Sequence, residues 1–238
     1  MRRLRAGAVA VGVLLAMSYT AHADPIIGSF GIAGTEDVRL GASVIDWGHP
    51  GDVFGPPTGG FQFTAGTGSF AGLAGSFGTI LDLHSALHPV GVPINAVGFL
   101  TSAAHPEWEF TLTFLYPGVG TAAGCTNVPG DVCTPFSGSP FTITNLVGGG
   151  AELAMRLSGT VGDAVGPVAP FAGTALMPFA TLSASELLAA VATGGYVQSS
   201  RGWEFSTDAA PVPEPASLVL FGTGLAGAAG RAWRKRRQ

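Results

Sequence analysis

The chain has 238 residues, 47% of them hydrophobic, with 37 glycines, 17 prolines and only 11% charged residues. That is enough apolar material to bury one core and too little charge for a solvated coil. Eight of the eleven cations sit at the two ends, so residues 25–210 keep Arg39, Arg156 and Arg201 against thirteen acids. A body this acidic repels phosphate backbones and anionic head groups, which argues against nucleic acid as a partner.

In chain order, Arg2, Arg3 and Arg5 precede a twelve-residue apolar stretch, Ala6 to Met17. Ala21-His22-Ala23 then fits a small-x-small cleavage site, with Asp24 as the first mature residue. This is the three-part pattern of a secretory signal peptide, 1–23, and the apolar stretch is short for a permanent span. An uncleaved anchor is the alternative. The exported body is then 24–210.

The body reads as short strands separated by Gly, Pro, Asn and Asp. Segments 38–45, 60–65, 77–83, 96–102, 141–146 and 171–177 are candidates. The clearest is "WEFTLTFLY", where Trp108, Phe110, Leu112, Phe114 and Tyr116 alternate with Glu109, Thr111, Thr113 and Leu115. Period two predicts a half-buried antiparallel strand with the first set inside. "AELAMRLSG" (151–159) and "GWEFST" (202–207) repeat the pattern. A Gly-x-Phe rhythm around Phe61, Phe63, Phe70 and Phe77 reads as two consecutive hairpins rather than a solenoid. One helix is expected: Ser183 and Glu186 make a capping box, Leu187, Leu188 and Val191 an apolar face, and Gly194-Gly195 a stop. There is no βαβ rhythm. The expectation is a single all-β, antiparallel, sandwich-like domain with one short helix, followed by a C-terminal transmembrane helix.

Cys125 and Cys133 flank a seven-residue stretch containing Pro129-Gly130-Asp131. In an oxidising compartment two cysteines around a turn form a disulfide. Its loop is short, worth about 2.5 kcal/mol on the chain-entropy model.

The search for catalytic groups in the body yields weak patterns. His84 and His88, with Asp82 or His105, have zinc-like spacing only if they lie on a helix, and "FGTILDL" before them reads as a strand. They are read as solvated loop histidines. Glu36, Asp37, Asp46 and Asp52 fall in no calcium-loop pattern. Glu107 and Glu109 flank Trp108, and on a strand both sit on the solvent face. No cofactor and no metal are expected, and the body reads as non-catalytic. Trp47, Trp108 and Trp203 keep a carbohydrate-binding module open, and a hydrolase or lyase acting on matrix polysaccharide is the weaker alternative.

At the C-terminus, Val212-Pro213-Glu214-Pro215 leads into fifteen uncharged residues, 216–230. As a helix these reach about 22 Å, a marginal span of a hydrocarbon core of about 30 Å. Proline removes amide donors and disfavours helix before it, so 211–215 should be extended and exposed. Arg231, Arg234, Lys235, Arg236 and Arg237 follow, in the tail 231–238. Such a cluster stays cytoplasmic, which places the body outside the inner membrane. Gly222, Ala226 and Gly230 form a small-residue stripe, equally a docking face for a membrane enzyme or part of a weak, partnerless span.

In this order, "VPEP", a short Gly-rich apolar segment and a terminal Arg cluster resemble the PEP-CTERM sorting signal of exported proteins in Gram-negative bacteria. The resemblance implies recognition by an exosortase, an integral-membrane protease/transpeptidase, which cuts near Pro213-Glu214-Pro215. It further implies delivery of the body to the cell surface or extracellular matrix, and association with exopolysaccharide and biofilm.

Overall fold

The computed structural model describes residues 25–35, 37–48, 58–163, 168–199 and 204–209. The expected signal peptide with Ala21, Ala23 and Asp24, the sorting motif Val212 to Pro215, the span 216–230 and the basic tail all lie outside these residues. So do Glu36, Asp52 and Trp203.

The strands in chain order are β1(Gly28–Gly34), β2(Arg39–Gly41), β3(Val44–Asp46), β4(Thr58–Gly66), β5(Phe77–Leu81), β6(Leu83–His84) and β7(Pro93–Ser102). They continue with β8(Glu109–Leu115), β9(Val132–Cys133), β10(Phe141–Asn145), β11(Ala151–Gly162), β12(Ala169–Phe179), β13(Tyr196–Gln198) and β14(Glu204–Ala209). The expected helix is α1(Ala184–Gly194). The Ser183 amide donates to the Glu186 carboxylate at 2.8 Å, and Gly195 closes the helix at φ 78°. The Ser183 amide and hydroxyl together hold the Glu186 carboxyl below its ordinary pKa.

Among the described residues the fold is antiparallel β with one α-helix, as expected; the sandwich is not found. Neighbouring strands run β12-β14-β1-β4-β5-β7-β8-β11, and β11 then pairs with β12 along its whole length. Eight antiparallel strands thus close into a barrel, leaving no edge within the ring. β11 makes the closure possible because it is twelve residues long. One of its sides pairs with β12; the other is shared, Ala151–Met155 with β10 and Leu157–Gly162 with β8.

An eight-stranded barrel has an interior just wide enough for side chains to fill. Phenylalanines fill this one. β1 and β8 stand four strands apart either way round the ring. Their Phe30 and Phe110 rings nevertheless lie 5.7 Å apart, and Phe110 lies 6.1 Å from Phe171. The glycine content serves this packing. Phe61 faces Gly78 and Phe171 faces Gly159 across strand pairs. A Cβ on either glycine would meet the ring at about 2.5 Å, so each ring lies flat over a bare backbone.

Three local expectations are corrected. Around the Gly-x-Phe rhythm there is one hairpin, β4 with β5, and its connection tucks Phe70 into the core. Segment 38–45 is itself a hairpin, β2 and β3, turning at Ala42 and Ser43. Segment 77–83 splits at Asp82: β5 joins the barrel, while β6 joins a second sheet ordered β13-β2-β3-β6.

The alternation of "WEFTLTFLY" also breaks midway. Ser158 pairs with Phe114 but Gly159 with Leu112, so Thr113 forms a bulge. One extra residue moves every later side chain to the opposite face. Phe110 and Leu112 point inward as expected, but so does Leu115, 2% exposed. Phe114 and Tyr116 turn outward, with their rings 4.8 Å apart.

Cys125 and Cys133 form the expected disulfide. A residue of no evident sequence interest holds its loop. Asn145, 3% exposed, donates through Nδ2 to the carbonyls of Thr126 (2.9 Å) and Val128 (3.1 Å). Its Oδ1 accepts the amide of Ala184 (2.8 Å), the first residue of α1. One side chain thus ties the disulfide loop to the helix start.

Candidate functional site

The small sheet, α1 and the inward-facing side of β8, β10 and β11 line a cleft of about 590 Å³. Leu115 and Leu153 of the barrel strands β8 and β11, with Ile143 of β10 beside Leu153, form its floor. Leu187, Leu188 and Val191, the apolar face of α1, form one wall; Leu40, Ile45 and Val197 of the small sheet form the other. His84, Ser85, His88, Pro89 and Phe136 stand around it, and among the described residues no Asp, Glu, Lys or Arg lines it. Size and lining match a site for a small apolar ligand.

The two histidines are half-buried here, not solvated as expected. The His88 amide donates to the His84 carbonyl at 2.7 Å, closing a tight turn. The His84 amide donates in return to His88 Nδ1 at 3.1 Å. An imidazole that accepts at Nδ1 carries its proton on Nε2 and presents a donor there. Burial first, and the neighbouring His84 second, hold the His88 imidazole below its ordinary pKa. The ring is therefore neutral at neutral pH.

The zinc-like set does not assemble. Asp82 is 3% exposed and accepts the Trp47 amide at 3.0 Å, behind the small sheet. His105 lies on the β7–β8 connection, where it stacks on Trp108 at 4.1 Å and bonds Glu107 at 2.8 Å. That bond is the main reason the Glu107 carboxyl lies below its ordinary pKa. Among the described residues, no three His, Cys, Asp or Glu side chains group as metal ligands. The acids considered for calcium are used locally: Asp37 accepts from Gln198 at 2.6 Å, and Asp46 from the Gly48 amide at 3.2 Å. The carboxylates beside Trp108 are not a strand pair, since Glu107 precedes β8 and Glu109 begins it.

Of the tryptophans considered for a sugar platform, Trp203 lies outside the described residues, and Trp47 and Trp108 do not form one. Trp47 is completely buried. Trp108 is half-buried between His105 and Phe70, whose ring is 5.3 Å away. The outward aromatic surface lies elsewhere. The Arg156 guanidinium stands 5.2 Å over Tyr116, beside a second hollow of about 570 Å³ that also meets Ser29, Thr67 and Thr174. The bulge at Thr113 created this surface, and strict alternation hid it.

Sequence reasoning missed the cleft although it named several of its residues. The apolar face of α1 and the pair His84 and His88 were the available signals, but nothing local says that they converge.

Among the described residues no helix is long and apolar enough to cross a membrane, and segment 216–230 lies outside them. The described body is thus a β-barrel domain with a ligand-sized cleft and no metal-ligand cluster among the described residues. Beyond it, residues 211–237 match the family model of the PEP-CTERM protein-sorting motif. The match marks the chain as carrying that motif, a signal for sorting by an exosortase. No curated protein and no solved structure matches the chain.

Proposed function

We propose that this is an exported, non-catalytic β-barrel protein whose C-terminal signal is cut by an exosortase-type membrane protease. The barrel is then transferred or released to the cell surface or matrix, in association with exopolysaccharide. The observation that carries this reading is the family-model match at 211–237, with its three parts in order. The fold is compatible with processing at that point. β14 is a ring strand ending at Ala209, and three residues separate it from Pro213. A cut at or after Pro213 leaves the barrel complete; a cut before β14 would open it. Anchoring before processing fits the same logic, with the basic cluster Arg234 to Arg237 held inside.

Intact-mass analysis of the surface protein, from cells with and without the protease, tests this. The expected mass lacks residues 1–23 and everything beyond the Pro213–Pro215 region. It is also lower by the two hydrogens lost when Cys125 and Cys133 join. A mature surface protein that retains the intact basic tail overturns the processing reading.

A carbohydrate-binding module is the second reading, now supported by Tyr116 and Arg156 at the outer hollow rather than by the tryptophans. Stacking of a sugar on an outward ring flanked by hydroxyls predicts a glycan-array signal that falls at least about tenfold in Tyr116→Ala, the scale of one lost aromatic contact. An array on which wild type and variant are equally silent removes this reading.

A further inference from the structure

We propose that the cleft between α1, the small sheet and strands β8, β10 and β11 binds a single-chain amphiphile. Its acyl tail lies among Leu153, Leu188 and Val191, and its hydrogen-bond-accepting head, a carboxylate or carbonyl, lies at His88.

Three observations lead there independently of the sorting signal. The first is volume: about 590 Å³ lies in the range that encloses a small ligand and is far more than a packing defect. The second is the lining, which is branched aliphatic on floor and both walls. Such a surface gains by receiving a flexible hydrocarbon, whereas a free sugar would leave most of its hydroxyls without partners. The third is the polar group. His88 is fixed through Nδ1 by the His84 amide, so what it offers a ligand is a donor. Among the described lining residues there is no carboxylate to repel an anionic head or to hold a cationic one. Exposed apolar groups continue the hydrophobic path outward: Phe136 on the cleft itself is 52% exposed, and Leu87, beside His88 in sequence, is 71% exposed.

The test uses the mature protein and three probes: lauric acid, lauryltrimethylammonium with the same tail and a cationic head, and phospholipid vesicles. Binding is read by displacement of N-phenylnaphthylamine and by amide shifts in heteronuclear NMR. Lauric acid should displace the dye and shift amides of α1 and of 84–88; the cationic amphiphile should bind at least about tenfold more weakly. Losing the donor in His88→Leu should weaken lauric acid about tenfold, the scale of one hydrogen bond to a charged group. Ala192→Trp, at an exposed position on the cleft, should block binding without disturbing the fold; Val191→Trp is a second filling variant. The proposal is overturned if lauric acid does not bind, or if both filling variants still bind it. Equal binding of the two head groups, unchanged in His88→Leu, overturns the assignment of the head. Binding to vesicles without binding of monomeric lauric acid shows membrane adsorption instead and also overturns it.

Discussion

Replacing Asn145 with leucine is expected to destabilise the domain by about 3 kcal/mol, seen as a Tm lowered by roughly 10 °C in thermal unfolding. The side chain is 3% exposed and makes three hydrogen bonds, to the Thr126 and Val128 carbonyls and from the Ala184 amide. Leucine fills a similar volume but leaves those groups without their partner. The cost falls mainly on Ala184, which is completely buried, because Val128 is exposed and water can reach its carbonyl. Asn145→Asp separates the two halves of the hub. An aspartate still accepts from the Ala184 amide, but it faces two carbonyl oxygens with negative charge where asparagine donated. Its folded pKa is therefore raised above the unfolded value. A raised acid pKa means that the native state holds the extra proton. The variant's deficit should be at its full size above the folded pKa and shrink as pH falls through it toward the unfolded value. A leucine variant as stable as wild type would remove Asn145 from its role as the tie between disulfide loop and helix.

Glu214→Ala is expected to slow processing of the C-terminal signal about thirtyfold or more, with unprocessed precursor accumulating in pulse-chase analysis. Glu214 is the sole charge between Asp208 and Arg231 and stands between two prolines, a residue type that disfavours helix at the position before it. A protease that reads this segment has one ionic handle on it. Truncating one partner of a desolvated charge pair costs on the order of 2–5 kcal/mol, which at the lower bound is about thirtyfold in rate. Glu214→Gln, which keeps shape and loses charge, should resemble the alanine variant. Barrel stability should not change in either, because β14 ends at Ala209. Unchanged processing in both variants would take away the main support for sorting through this motif.

The features legible in the sequence share one property: each is written in a contiguous stretch. The capping box of α1 needs Ser183 and Glu186 three apart, and it formed. The cysteines flank a turn eight residues across, and they joined. Strand alternation in β11 runs unbroken from Ala151 to Val161 and places Leu153, Met155 and Leu157 inside as expected. The sorting signal is the extreme case, since its three parts follow one another directly and a single local pattern carries them all.

What remained hidden depended on residues far apart in the chain. A sandwich and a barrel have the same alternation on every strand; they differ in whether β11 also reaches β12, which follows from accumulated twist and from the bulges. The bulge at Thr113 exists because β8 must follow β11 and β7 at once, and it sent Phe114 and Tyr116 outward against the pattern. Asn145 meets Ala184 across 39 residues. The cleft exists because Asp82 ends a barrel strand and starts a strand of the second sheet, bringing His84 and His88 against α1 a hundred residues later. By itself the sequence determined where most of the barrel strands, the helix, the cross-link and the address label lie, because short-range sterics, capping and charge act between neighbours. The tertiary structure alone decided that the sheet closes, which faces turn outward and where a ligand can enter, because those outcomes rest on register and packing summed over the whole ring.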